Sequence, residues 1–164
     1  IQGNRTIFVS DTTVHELPSA NQLADIAIQT AEKAREFGHT PRVALLSYSN
    51  FGSPMREKAQ RIREAVAELD KRKVDFEYDG EMSADVALNE ELRKLYPFSR
   101  LSGPANVLIM PALHSANIAS KLIEELSDGS VVGPILVGLE KQVQIIEMNS
   151  KVSDILNAAA LAAV

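Results

Sequence analysis

The chain has no cysteine among its 164 residues. That excludes disulfides, a thiol nucleophile and a cysteine-ligated metal. It has no apolar run approaching the roughly 20 residues of a membrane-spanning helix. No signal-peptide pattern opens it, so a cytoplasmic setting is expected. It also lacks a basic excess: 17 Lys and Arg face 22 Asp and Glu, for a net charge of -5. Nucleic-acid backbones are held by surplus Lys and Arg, so that partner class is disfavoured. A local basic patch for a small phosphorylated ligand stays open. There is no G-x-G-x-x-G, no Walker lysine and no G-x-S-x-G elbow. The three histidines, His15, His39 and His114, share no metal-ligand spacing, so no metal site is expected. The first residue is Ile1 rather than Met, which reads as a piece of a longer chain.

What is present is a core. Hydrophobic residues make up 45% and charged residues 24%, a balance that suits one folded domain. Apolar strand patterns alternate with helical ones. Strands are expected at 5–11, 42–49, 75–82, 105–111 and 133–139. Helices are expected after Ser19, ending at Gly38, and over 55–73, 83–96, 115–129 and 152–163. Ser53 before Pro54 reads as the cap of the second helix, Asp79-Gly80 as a turn, and 96–104 as a surface excursion. The runs at 42–49, 105–111 and 133–139 are almost wholly apolar, as strands covered on both faces are. The expected fold is therefore α/β, three layers with a mostly parallel sheet between helices.

Such sheets bind ligands beyond the carboxyl ends of their strands. The loop "SYSNFGSP" offers Ser47, Ser49, Asn50, Gly52 and Ser53 between a strand and a helix. Small and hydroxyl residues there suit backbone N–H groups facing an anion. An ordinary capped loop fits the same letters. "DGEMSAD" gathers Asp79, Glu81 and Asp85. Paired carboxylates serve acid–base work or Mg²⁺, but a tight turn and an acidic first helical turn are the favoured reading. His114 stands at a strand exit, with Asn117 and Lys121 in the helix that follows. A solvated loop histidine is the plainer reading of His114. From the residues alone, the chain is an α/β ligand-binding domain without an assigned reaction.

The segments "ANQLADIAIQTAEKAREFG", "RVALLSYSNFGSP", "DGEMSADVAL", "SGPANVLIMPALHSANIASKLI" and "VGPILVGLEKQV" closely resemble the C-terminal half of phosphate acetyltransferases. "DTTVHELPSANQLADIAIQTAEKAREFGHTPRVALLSYSNFGSP" resembles more specifically the transacetylase-like C-terminal domain of bacterial NADP-dependent malic enzymes. The resemblance implies a fold related to isocitrate and isopropylmalate dehydrogenases. Residues 1–134 would form its second α/β domain, and 135–164 the segment that crosses back to a first domain mostly absent here. It also implies self-association as a dimer or larger, and N-terminal malic-enzyme domains in the same chain. NADP and Mg²⁺ or Mn²⁺ would belong to those domains, whose reaction is oxidative decarboxylation of malate to pyruvate.

Active transacetylases of this type carry a Ser-Arg pair and a later Asp, in a segment similar to "KQVQIIEMNSKVSDI" (141–155). The resemblance gives Arg the phosphate, Ser the transition state and Asp the CoA thiol proton. Here Glu147 stands at the Ser position and Met148 at the Arg position, while Asp154 is retained. A shifted pairing would place Asn149-Ser150-Lys151 there instead. Met148 cannot grip an anion as a bidentate Arg does. A carboxylate at Glu147 opposes an anion by about 1 to 4 kcal/mol at contact. The resemblance thus implies a non-catalytic domain that binds acetyl-CoA or CoA as a regulatory ligand and assembles the enzyme. An active acetyl or butyryl phosphate transferase and a purely structural oligomerisation module are the alternatives. Ser47, Ser49, Asn50, Gly52, Ser53, His114, Asn117 and Lys121 are the candidate ligand contacts.

Overall fold

Two strands carry the centre of the molecule. The computed structural model describes residues 5–129, 131–141, 143–146, 148 and 150–163. Its four-stranded sheet runs in the order β1-β4-β2-β3, with β1 Phe8–Ser10, β2 Arg42–Leu46, β3 Glu77–Met82 and β4 Val107–Ile109. Every pairing is parallel. The central β2 and β4 are buried from Val43 to Leu46 and from Val107 to Ile109. Side chains alternate across a strand. Val43, Leu45, Val107 and Ile109 accordingly enter one apolar cluster, and Ala44, Leu46 and Leu108 the other.

The first cluster is closed by α1 Ala20–Glu36 and α2 Glu57–Arg72, through Leu23, Ala27, Ile62 and Leu69. The second is closed by α3 Ala84–Leu88, by Leu101 and by Ala116 of α5 Leu113–Leu126. The result is the expected three-layer α/β/α arrangement. Burying a side chain such as Leu69 contributes about 1.5–3 kcal/mol each, and both faces of the sheet are covered this way.

Helix ends follow their local chemistry. Ser19 and Gln22 form a reciprocal capping box at the start of α1: Ser19 Oγ accepts from Gln22 N at 3.3 Å, and Gln22 Oε1 accepts from Ser19 N at 2.8 Å. At its end Gly38 takes φ +79°, and the amides of Gly38 and His39 donate to Arg35 and Ala34. This double closure needs a left-handed residue, for which glycine carries no steric penalty.

Several expected boundaries shift. α2 begins at Glu57 behind Arg56, not at Pro54, because Asn50 and Ser53 close a turn through reciprocal backbone hydrogen bonds at 3.1 and 3.0 Å. Asp79-Gly80 is no turn; β3 runs through it to Met82. The helix expected over 83–96 breaks at Asn89, whose side chain caps α4 Glu90–Arg93 by accepting from Glu91 N at 2.9 Å. The segment 96–104 is not a surface excursion throughout: Leu101 is buried, and Tyr96 and Phe98 pack on Phe51. α5 starts two residues early, at Leu113.

The largest correction concerns 133–139. This apolar run is not a buried strand. Among the described residues it pairs only through an isolated antiparallel bridge, Ile135 with Gln144, and its residues are half-buried to exposed. It lies beside α1, where Gly138 comes close to the Gln29 side chain, instead of extending the sheet. α6 Val152–Ala162 forms as expected but buries none of its residues. No helix among the described residues is long and apolar enough to cross a membrane.

Candidate functional site

At the carboxyl edge of the sheet a single acidic side chain organises the loop after β2. Glu81, near the end of β3, is 0% exposed. Its Oε1 accepts from Ser49 Oγ at 2.8 Å, Gly52 N at 2.9 Å and Arg63 Nη1 at 3.0 Å. Its backbone carbonyl accepts from Phe51 N at 2.8 Å. Its Oε2 is buried without a hydrogen-bond partner. Ser49 is itself buried, and its Oγ lies 3.5 Å from Ser47 Oγ. Asn50 Oδ1 accepts from Ser83 N at 2.8 Å and Ser83 Oγ at 3.1 Å. Ser47, Ser49, Asn50 and Gly52 therefore do converge. Most of their polar groups, however, point inward: Ser49 and Gly52 serve Glu81, and Asn50 serves Ser83. Glu81 is a buried loop anchor, and the turn reading of "DGEMSAD" does not describe it.

Asp79 is likewise buried and accepts from Gly80 N and Arg100 N. Asp85 is exposed and takes a hydrogen bond from Ser83 Oγ. The three acids are thus engaged separately, and among the described residues no group of three or more His, Cys, Asp or Glu is placed to hold a metal.

The remaining candidates are more scattered. Ser53 is exposed and closes the turn with Asn50. His114 is exposed in the first turn of α5, not in a loop, because the helix begins at Leu113. Asn117 follows in the same helix. It lies in the second turn, exposed, with its carbonyl accepting from Ser120 Oγ at 3.0 Å, so its amides are already within the helix. Lys121 lies further along, its Nζ 3.1 Å from Glu124 Oε2.

Glu147 and Asn149 lie outside the described residues. Met148 is fully exposed, at 106% of its reference area. Asp154 is used at the head of α6, its Oδ2 accepting from Lys151 N at 2.7 Å. An acid so placed satisfies an orphan helix amide.

A second cluster flanks the first at the exit of β1. Asp11 accepts from the amides of Thr13 and Val14 through Oδ1, and from the amide and ring Nδ1 of His15 through Oδ2, all at 2.7–2.8 Å. Burial opposes the charged form of Asp11, but the hydrogen bonds from Thr13, Val14 and His15 outweigh it and hold its pKa below the ordinary value. Glu16 accepts from Leu113 N at 3.0 Å and so ties this loop to the head of α5. Neither Asp11 nor Arg63 is among the residues singled out from the sequence, and His15 enters there only as a metal-ligand candidate. The Asp-x-x-x-His spacing of 11 and 15 was a signal for that pair. Nothing in the helical pattern of α2 singles out Arg63.

Two surface cavities lie away from this edge. One, of about 170 Å³, sits between α1 and residues 136–139, lined by Gln29, Glu32, Lys33 and Glu36. Another faces His39, Thr40 and Phe76 at the amino ends of the strands. Neither includes any candidate ligand contact.

The sequence pattern of the phosphate acetyl/butaryl transferase family matches residues 1–163. An NADP-dependent malic enzyme of Rhizobium meliloti is 57% identical over 97% of this chain and 21% of its own length. A phosphate acetyltransferase of Treponema pallidum is 44% identical over 97% of this chain and 49% of its own. The solved phosphotransacetylase of Streptococcus pyogenes superposes with a TM-score of 0.91 at 34% identity, over 98% of this chain and 49% of that one. The chain thus spans about a fifth of this malic enzyme and about half of these two transacetylases.

Proposed function

This chain belongs to the phosphate acetyl/butaryl transferase family, and from that membership we propose that it is a non-catalytic, acetyl-CoA-sensing and assembly domain of an NADP-dependent malic enzyme. The parent reaction in this proposal is the oxidative decarboxylation of malate, with NADP and Mg²⁺ or Mn²⁺ held by N-terminal domains. The relatives that favour this parent include malic enzymes of Rhizobium meliloti, Rickettsia prowazekii and Salmonella typhimurium, at 57%, 49% and 43% identity. In the same proposal residues 1–134 are a second transacetylase domain, of the isocitrate dehydrogenase type, and 135–164 cross back towards a first.

One observation carries the non-catalytic reading: the place where the resemblance expects a phosphate-gripping Arg is a fully exposed Met148. The retained Asp154 is occupied with capping α6. A thioether offers neither charge nor a hydrogen-bond fork to an acyl phosphate. For regulation, acetyl-CoA has to bind one state of the assembly better than another.

Incubation of the chain with CoA and acetyl phosphate tests the reading. No acetyl-CoA is expected above the uncatalysed background. Protein-dependent turnover would instead support the active-transferase alternative, which the Treponema pallidum phosphate acetyltransferase among the relatives keeps in view.

A further inference from the structure

Arg63 lies in the second turn of α2, whose amino end faces the carboxyl edge of the sheet. Its Nη1 is tied to Glu81 at 3.0 Å, yet its side chain stays 27% exposed. Among the described residues its guanidinium makes no other hydrogen bond, and none of its nitrogens is both buried and unpartnered. A guanidinium carries five N–H donors in a planar fork, and one carboxylate contact leaves the rest of that fork available. The Glu81 carboxylate is immobile because Ser49, Gly52 and Arg63 converge on the same oxygen. It therefore fixes the orientation of Arg63 beside the loop of 47–53.

Neighbouring Arg61 is spent differently: its Nη2 donates to Pro111 O at 2.7 Å at the exit of β4. Met148 supplies no cation, and Lys121 is paired on α5 with Glu124. The exposed part of a tethered guanidinium at the carboxyl edge of a parallel sheet suits a phosphoryl oxygen. We infer that Arg63, held in place by Glu81, is a phosphate-binding residue of this edge, with Glu81 as its positioning residue. The ligand class is a phosphate or pyrophosphate ester. The inference rests on the acetyl-CoA reading for its natural ligand but not for its test.

Side-chain NMR of the 164-residue chain, titrated with inorganic pyrophosphate, is the test. The Arg63 Nε–H resonance, assigned by its loss in Arg63→Gln, is expected to shift saturably. Arg63→Gln should weaken pyrophosphate about tenfold or more, the size of one charge-assisted hydrogen bond, and flatten the salt dependence of binding. Glu81→Gln keeps an acceptor for Ser49 and Gly52 but loosens Arg63, so affinity should fall while the amide spectrum of 47–53 stays in place. An Arg63 resonance that does not move overturns the binding role. Unchanged or tighter binding by Glu81→Gln overturns the positioning role, because the carboxylate would then be competing for the guanidinium. A parallel titration with acetyl-CoA separates the two readings. Acetyl-CoA ignored while pyrophosphate moves Arg63 counts against the acyl-CoA reading alone. Acetyl-CoA bound equally by wild type and Arg63→Gln counts against Arg63 alone.

Discussion

Asp11 shows how much one side chain can organise at the end of a strand. Its two oxygens take four hydrogen bonds from Thr13, Val14 and His15, and their sum keeps its pKa below the ordinary value despite burial. A carboxylate whose pKa is lowered on folding stabilises the fold fully above its unfolded pKa, about 3.9. That contribution disappears as pH falls through the lower, folded value. Thermal melts of the wild type and Asp11→Asn should therefore differ most near neutral pH and converge in acid. A difference constant from pH 7 to pH 3 would mean that the ionised carboxylate is not what the turn uses. Asp70 is a surface counterpart: the hydrogen bond from Arg100, then that from Tyr78, lowers its pKa. Burial first, and then the hydrogen bond to Asp70, pushes the Tyr78 phenol up to about 12.

At the scale of elements, α1 and α6 make a contrast that can be measured. α1 has a full capping box, a glycine exit and a buried face of Leu23, Ile26 and Ala27. Ser19→Ala should cost about 1 kcal/mol in chemical denaturation, and Leu69→Ala, facing it from α2, about 2–5 kcal/mol. α6 has a capping acid but no buried residue, so removing 152–163 should leave the denaturation midpoint nearly unchanged. A large loss on that truncation would show that α6 packs on the sheet domain in solution.

The same contrast explains which elements could be read from the sequence. β2 and β4 were legible because central parallel strands are apolar on both faces. Residues 133–139 carry the same signature, yet lie beside α1 and join neither edge of the sheet, since hydrophobic pattern records the need for burial and not its location. Ser19 and Gly38 were legible because caps are local. The break at Asn89 is equally local, its side chain capping Glu91 N two residues on, but Leu88, Leu92 and Tyr96 keep helical spacing across it and mask it. The loop of 47–53 lies between β2 and α2, as its pattern indicates, but the direction of its polar groups is not legible in it. Ser49 and Gly52 face Glu81, a contact across 32 and 29 residues that no local pattern encodes.

For the whole molecule, the informative surface is apolar. Ile118, Leu122 and Leu126 on α5 and Val152, Ile155 and Leu156 on α6 are all exposed. Apolar area of this kind tends to be covered in an assembly. The proposed self-association predicts a dimer or larger species by light scattering at micromolar concentration, reduced by charged substitution of Leu122 and Leu126. A monomer at high micromolar concentration would contradict the assembly role.

The central claim is that this domain keeps a ligand while lacking the chemistry once done on it. Calorimetric titration of acetyl-CoA into the malic enzyme proposed to carry this chain, beside the same enzyme lacking these 164 residues, addresses it directly. Saturable binding by the full enzyme is expected, and its disappearance on deletion. Equal binding by both proteins, or none by either, would contradict it.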